Sequence, residues 1–177
     1  MILTGSEITE NVQRGNISLE PFFDAFVNPN SYNYRLGDEL LEVLDAAIDT
    51  REQYRTRSIT IPPDGYTLMP GRMYLGSTYE KIGSRQFVPS LIGRSSLGRL
   101  GLFLQITADL GHLGTNHHWT LELTCVQPLR VYPFMKIGQV SFWKPEGLEL
   151  LQERYQEIQN NYSGYSLPQP AIVSKFV

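Results

Sequence analysis

Proline and glycine break this chain at short intervals. Pro29-Asn30, Pro62-Pro63-Asp64-Gly65, Pro70-Gly71 and Pro89-Ser90 separate stretches of strand length, among them residues 58–61, 72–78 and 103–107. Proline fixes φ and removes a backbone donor, and glycine opens positive φ, so such pairs end one extended stretch and turn the chain into the next. Many short strands divided by turns satisfy their backbone groups in a barrel or a sandwich. The exception lies at the start. Thr4 and Glu7 have capping-box spacing, Ile8 and Val12 share one face, and Gly15 can close a short N-terminal helix. Residues 49–57, with Asp49, Arg51, Glu52, Arg55 and Arg57, read as a solvated connection. A second helix is compatible with residues 148–159, ahead of an extended tail rich in Tyr, Ser, Pro and Asn.

The 177 residues are enough for one domain with a substantial core, and a single domain over 1–177 is the expectation. The 15 Lys and Arg against 18 Asp and Glu give a net charge of −3, which supplies neither a basic footprint for nucleic acid nor a polybasic arm for lipid. A small anion held by local arginines remains compatible. No apolar run reaches membrane-spanning length and the N-terminus lacks the pattern of a secretion signal, so a cytoplasmic protein without a membrane partner is expected. The single cysteine, Cys125, allows no internal disulfide and reads as a small buried hydrophobe.

The run Gly93-Arg94-Ser95-Ser96-Leu97-Gly98-Arg99-Leu100-Gly101 is suited to holding an anion. A helix over 94–99 puts Ser95 and Arg99 on one face, and flanking glycines let backbone approach a ligand. The plainer alternative is an Arg-Ser-Ser turn that caps a helix and leaves its arginines in water. Trp119-Thr120-Leu121-Glu122-Leu123-Thr124 alternates, with Trp119, Leu121 and Leu123 on one face and Thr120, Glu122 and Thr124 on the other. Glu122 is then either a solvated strand carboxylate or, in a cleft partly shielded from water, a group able to shuttle protons. Gln139 can serve a ligand through its amide or pair with backbone.

Taken in order, Asn28-Pro29-Asn30-Ser31-Tyr32-Asn33-Tyr34-Arg35-Leu36-Gly37, Leu75-Gly76-Ser77-Thr78-Tyr79-Glu80, the Gly-Arg-Ser-Ser-Leu-Gly-Arg run, Leu121-Glu122-Leu123 and Met135-Lys136-Ile137-Gly138-Gln139 resemble the dCTP deaminase family of the dCTP deaminase and dUTPase superfamily. The resemblance implies a distorted, dUTPase-like β-barrel assembled as a homotrimer with active sites shared between subunits. It implies hydrolytic deamination of a cytosine nucleotide, most simply dCTP to dUTP and ammonia, with magnesium carried by the triphosphate and no metal site in the protein. By resemblance Glu122 is the proton shuttle, Ser95 and the Ala108 carbonyl position the water, and Arg99 orients the catalytic groups. Arg94 and Ser96 meet phosphates within the substrate-binding run that includes Leu97 and Gly98, Thr120 and Leu121 offer backbone to the pyrimidine edge, and Gln139 and Tyr155 add triphosphate contacts. One cysteine cannot supply the Pro-Cys-x-x-Cys ligands of zinc deaminases, so zinc is not expected.

The chain departs from the family after Ala108. Leu110 stands where an arginine is expected and His112 where an aspartate receives the sugar hydroxyl, so His112 becomes the candidate sugar or phosphate contact. Asn33 replaces a frequent aspartate, and Asn161-Tyr162-Ser163-Gly164-Tyr165 matches the family tail only loosely. His112, His117 and His118 share this loop without a carboxylate or thiolate at ligand spacing, which disfavours a metal site. Two alternatives stay open: a dUTPase-type or bifunctional phosphohydrolase, and a catalytically silent nucleotide-binding relative.

Overall fold

The computed structural model describes residues 1–104, 108–149 and 168. Helix α1 (Gly5–Gln13) begins where the capping residues place it: the Glu7 amide donates to Thr4 Oγ1 at 3.4 Å, and Gly15 follows the helix at φ 74°. Its inward face carries Ile8, with no solvent exposure, and Asn11, whose Nδ2 donates to the Glu7 carbonyl at 2.8 Å. The helix expected over residues 148–159 lies almost wholly outside the described residues.

All the remaining architecture described is strand, turn and two very short helical segments. Strands β1 (Ile17–Glu20), β7 (Lys81–Ser84) and β10 (Asn116–His117) form one sheet with β7 central. Strands β2 (Tyr32–Arg35), β13 (Lys136–Trp143) and β8 (Val88–Gly93) form a second with β13 central, and β5 (Tyr66–Leu68) and β12 (Leu129–Val131) a third. The largest sheet runs β4-β3-β6-β11-β9, made from β3 (Glu39–Val43), β4 (Thr56–Thr60), β6 (Tyr74–Ser77), β9 (Leu102–Leu104) and β11 (Thr120–Cys125). Every pairing is antiparallel.

The mainly β expectation holds, but the expected barrel is not seen as one closed ladder among the described residues. Its interruptions have local causes. After Gly93, β8 gives way to helix α2 (Ser95–Arg99), and β13 shifts register between Lys136 and Gly138, where the Tyr34 ring lies across the strand. The core holds unusually large phenols for its position between sheets: Tyr32, Tyr34 and Tyr74 are wholly buried beside Phe142. Tyr34 satisfies its hydroxyl by donating to the Ile92 carbonyl at 3.2 Å, as a buried phenol must. Part of the connection read as solvated becomes β4, whose Arg57 pairs with the buried Glu42 of β3.

Candidate active site

The glycine-, arginine- and serine-rich run does form a helix, Ser95–Arg99. Arg94 is the N-cap, in extended backbone and without a side-chain capping bond, so neither Ser95 nor Ser96 is consumed as a cap. Leu97 is buried and pins the helix, while Ser95, Ser96 and Arg99 face solvent from it and Gly98 is half-buried. Arg94 is held back toward β13 by a 3.4 Å bond from Nη1 to the Lys136 carbonyl.

Strand β11 shows the expected alternation. Leu121 and Leu123 have no solvent exposure and Cys125 is buried, whereas Thr120, Glu122 and Thr124 line a half-buried face. On that face Glu122 sits opposite Leu75 of β6, and Thr124 opposite the exposed Phe103 of β9. Helix α2 leads into β9, whose Leu102 pairs with Cys125, so helix and glutamate strand hang on one ladder. Glu122 lies three residues further along β11, about 10 Å at strand rise. Ile92, Leu100, Phe103, Leu110 and Val126 are all exposed apolar side chains in the segments around this region.

The divergent segment after Ala108 is tied down. Leu91 N donates to Asp109 O and Gly111 N to Pro89 O, both at 2.7 Å, and Ser90 Oγ donates to Asp109 Oδ2 at 3.2 Å. Gly111 is required there, since a Cβ would fall 2.5 Å from the Trp119 ring. The His112 carbonyl accepts from Thr115 Oγ1 at 2.8 Å in a tight turn that leaves the His112 side chain exposed; Ala108 is exposed as well. The three histidines do not converge. His117 is buried against Trp119 with ring centroids 4.4 Å apart, and its Nδ1 donates to His118 O at 2.9 Å; His118 Nδ1 donates to Thr78 O at 3.0 Å. Burial pushes the His117 imidazole below its ordinary range. No group of three or more His, Cys, Asp or Glu could hold a metal ion among the described residues.

Gln139 pairs with side chains rather than backbone. Its Oε1 accepts from Ser31 Oγ at 3.4 Å and its Nε2 donates to Asn33 Oδ1 at 3.5 Å, while Asn33 Nδ2 donates to Phe26 O and Asn28 Oδ1. An aspartate at 33 could not make those last two bonds. Tyr155 lies outside the described residues. Sequence reasoning missed a buried ion pair: Glu80, with no exposure, accepts from Arg35 N and Nε, both at 2.7 Å. Three rings, of Phe23, Phe26 and Tyr79, flank that guanidinium at 4.4–5.3 Å.

A family model described as dCTP deaminase-like matches residues 2–145, and so takes in α2, β11 and the divergent segment. This chain belongs to the dCTP deaminase family. A relative from Hathewaya histolytica named dCTP deaminase, dUMP-forming, is 43% identical over 175 residues, covering 99% of this chain and 98% of its own. One from Clostridium beijerinckii with the same name is 47% identical over 142 residues, covering 80% and 82%. A Rhodopirellula baltica relative named dCTP deaminase is 45% identical over 158 residues, covering 88% and 79%. The crystal structure of a 2′-deoxycytidine 5′-triphosphate deaminase from Agrobacterium tumefaciens shares the fold, with a TM-score of 0.66 at 20% identity over 90% of this chain. This chain spans 55% of that one's length. No helix among the described residues is long and apolar enough to cross a membrane.

Proposed function

We propose that this member of the dCTP deaminase family hydrolyses the exocyclic C–N bond of a cytosine nucleotide, with Glu122 as the proton shuttle. The observation that carries the reading is the placement of an uncommitted Ser95, Ser96 and Arg99 on α2, which runs into β9, with Glu122 on the half-buried face of β11, the strand laddered to β9. Water adds to C4 as Glu122 takes its proton and passes it to N3; the tetrahedral centre then collapses as Glu122 carries the C4 hydroxyl proton to the amino group, C4=O forms and ammonia leaves: dCTP and water give dUTP and ammonia. Ser95 and the Ala108 carbonyl orient the water, Arg99 orients Glu122, and Arg94 and Ser96 hold the magnesium-bound triphosphate.

The sequence alone pointed to dUTP as the final product. The names of the high-coverage relatives favour dUMP instead, formed when a second water displaces pyrophosphate from dUTP at the same site. We place the complete site between copies of the chain, in a trimer. The exposed apolar side chains near α2 support this, because a second copy laid on Ile92, Leu100 and Phe103 would dry the face that holds Glu122. The single, buried Cys125 leaves no thiolate set for zinc.

The test is product analysis after incubation with magnesium and dCTP, CTP, dCMP or dUTP in turn. One ammonia and one pyrophosphate per dCTP, with dUMP accumulating, is expected. Ammonia with dUTP accumulating restores the simpler product, pyrophosphate from dUTP without ammonia from dCTP makes the chain a phosphohydrolase, and none of these from a protein that binds nucleotide makes it a silent relative.

A further inference from the structure

The Trp119 amide, at the entry to β11, is held by one hydroxyl. Thr78, 1% exposed, accepts from the Trp119 amide at 2.9 Å through Oγ1 and donates through the same oxygen to the Glu80 carbonyl at 2.7 Å. Its own amide donates to Trp119 O at 2.8 Å, and its carbonyl takes the His118 imidazole N–H. Only a hydroxyl can accept and donate at once in that space. The two ends differ in stiffness. Glu80 is anchored by two bonds from Arg35, and Tyr79 N donates to Arg35 O at 2.8 Å, so the Glu80 backbone cannot drift. Trp119 directly precedes Thr120 and Leu121, whose backbone the family resemblance puts at the pyrimidine edge, and Glu122, the proton shuttle proposed above, follows them.

Resting on that function, we infer that Thr78 is a positioning residue for deamination: its hydroxyl sets the path of the 118–119 peptide, and through it the aim of β11 at the pyrimidine. The triphosphate is gripped elsewhere, from α2. Loss of the hydroxyl therefore changes turnover rather than grip, and a misplacement of about an ångström at a reacting centre lowers rate by up to about a hundredfold.

The experiment compares Thr78→Val, of nearly equal shape, with Thr78→Ser, which keeps the hydroxyl, by steady-state deamination of dCTP and by hydrogen exchange at the Trp119 amide. Valine is expected to lower kcat by about 10–100-fold with KM changed less than about threefold, and to speed Trp119 exchange, while serine restores both. Valine within about twofold of the unmodified chain in kcat, or serine falling as far as valine, overturns the inference. Should Thr78→Val not fold, Thr78→Cys, close in volume and poor at both bonds, is judged by the same criteria. If the unmodified chain releases no ammonia, the functional reading fails by itself; Trp119 exchange then decides, and protection unchanged in the valine variant overturns the positioning role.

Discussion

Gly138→Ala sets a methyl against a ring that has nowhere to go. A Cβ at Gly138 would stand 2.0 Å from Tyr34 Cζ and 2.1 Å from its hydroxyl oxygen. Gly138 lies opposite both Tyr34 on β2 and Gly93 on β8, and the phenol, wholly buried, is fixed at its tip by the bond to Ile92 O. Overpacking a tight core costs about 1–3 kcal/mol, and contact with a buried ring rather than a flexible chain end puts this site at the top of that range. Losing the Ile92 bond adds about 1 kcal/mol. The sum, about 3–4 kcal/mol, lowers the melting midpoint of a chain this size by roughly 6–16 °C. Urea and thermal unfolding followed by tryptophan fluorescence at one fixed protein concentration measure it. Gly138→Ala combined with Tyr34→Leu, which removes the clashing atoms, should recover at least about 1 kcal/mol relative to additivity. A loss under about 0.5 kcal/mol for Gly138→Ala, or strict additivity in the double variant, refutes the close-packing argument.

Burial holds His117 below its ordinary value of 6.5, against the opposing pull of its bond to His118 O, so the folded chain binds fewer protons there than the unfolded one. Stability is therefore full above about pH 6.5 and falls as pH drops through the folded value, with a slope of at most about 1.4 kcal/mol per unit; His117→Phe should flatten that part of a stability–pH curve. Arg35→Leu strands the buried Glu80 carboxylate and is expected to cost about 3–5 kcal/mol in urea unfolding, whereas Arg14→Ala, whose partner Glu10 is well exposed, should cost less than about 0.5 kcal/mol. If Arg99 of one copy meets Glu122 of the next in a shared site, inactive Glu122→Gln and Arg99→Ala chains refolded together should regain deaminase activity that neither has alone; no recovery in mixed trimers places Arg99 and Glu122 of each site on the same chain.

Local rules made α1, α2 and the two faces of β11 readable, because a cap, a buried leucine or an alternation is decided within a few residues. The long-range partners were not. Glu80, between Tyr79 and Lys81, resembles a surface carboxylate until β2 brings Arg35 to it across 45 residues. The Gln139–Asn33 contact spans 106 residues, so the side-chain network that holds the Gln139 amide was out of reach of local reading. The segment after Ala108 showed in the sequence only as a departure from the family with His112 at the sugar position; Asp109 and Gly111 zip it to β8 and His117 packs on Trp119, leaving His112 as the histidine that faces solvent. Gly111 was the signal, a residue without a side chain where an indole needs the room. The barrel was implied by the family resemblance, while turn spacing, which left barrel and sandwich both open, counts strands but says nothing about where one ladder stops.

Ammonia release from magnesium-dCTP, measured beside nucleotide binding for the unmodified chain and for Glu122→Gln, bears most directly on the proposed chemistry. Removing a proton shuttle costs about 100–10,000-fold, so Glu122→Gln should bind nucleotide with little change and release ammonia at least about a hundredfold more slowly. A Glu122→Gln chain that still deaminates at close to the original rate contradicts the assignment.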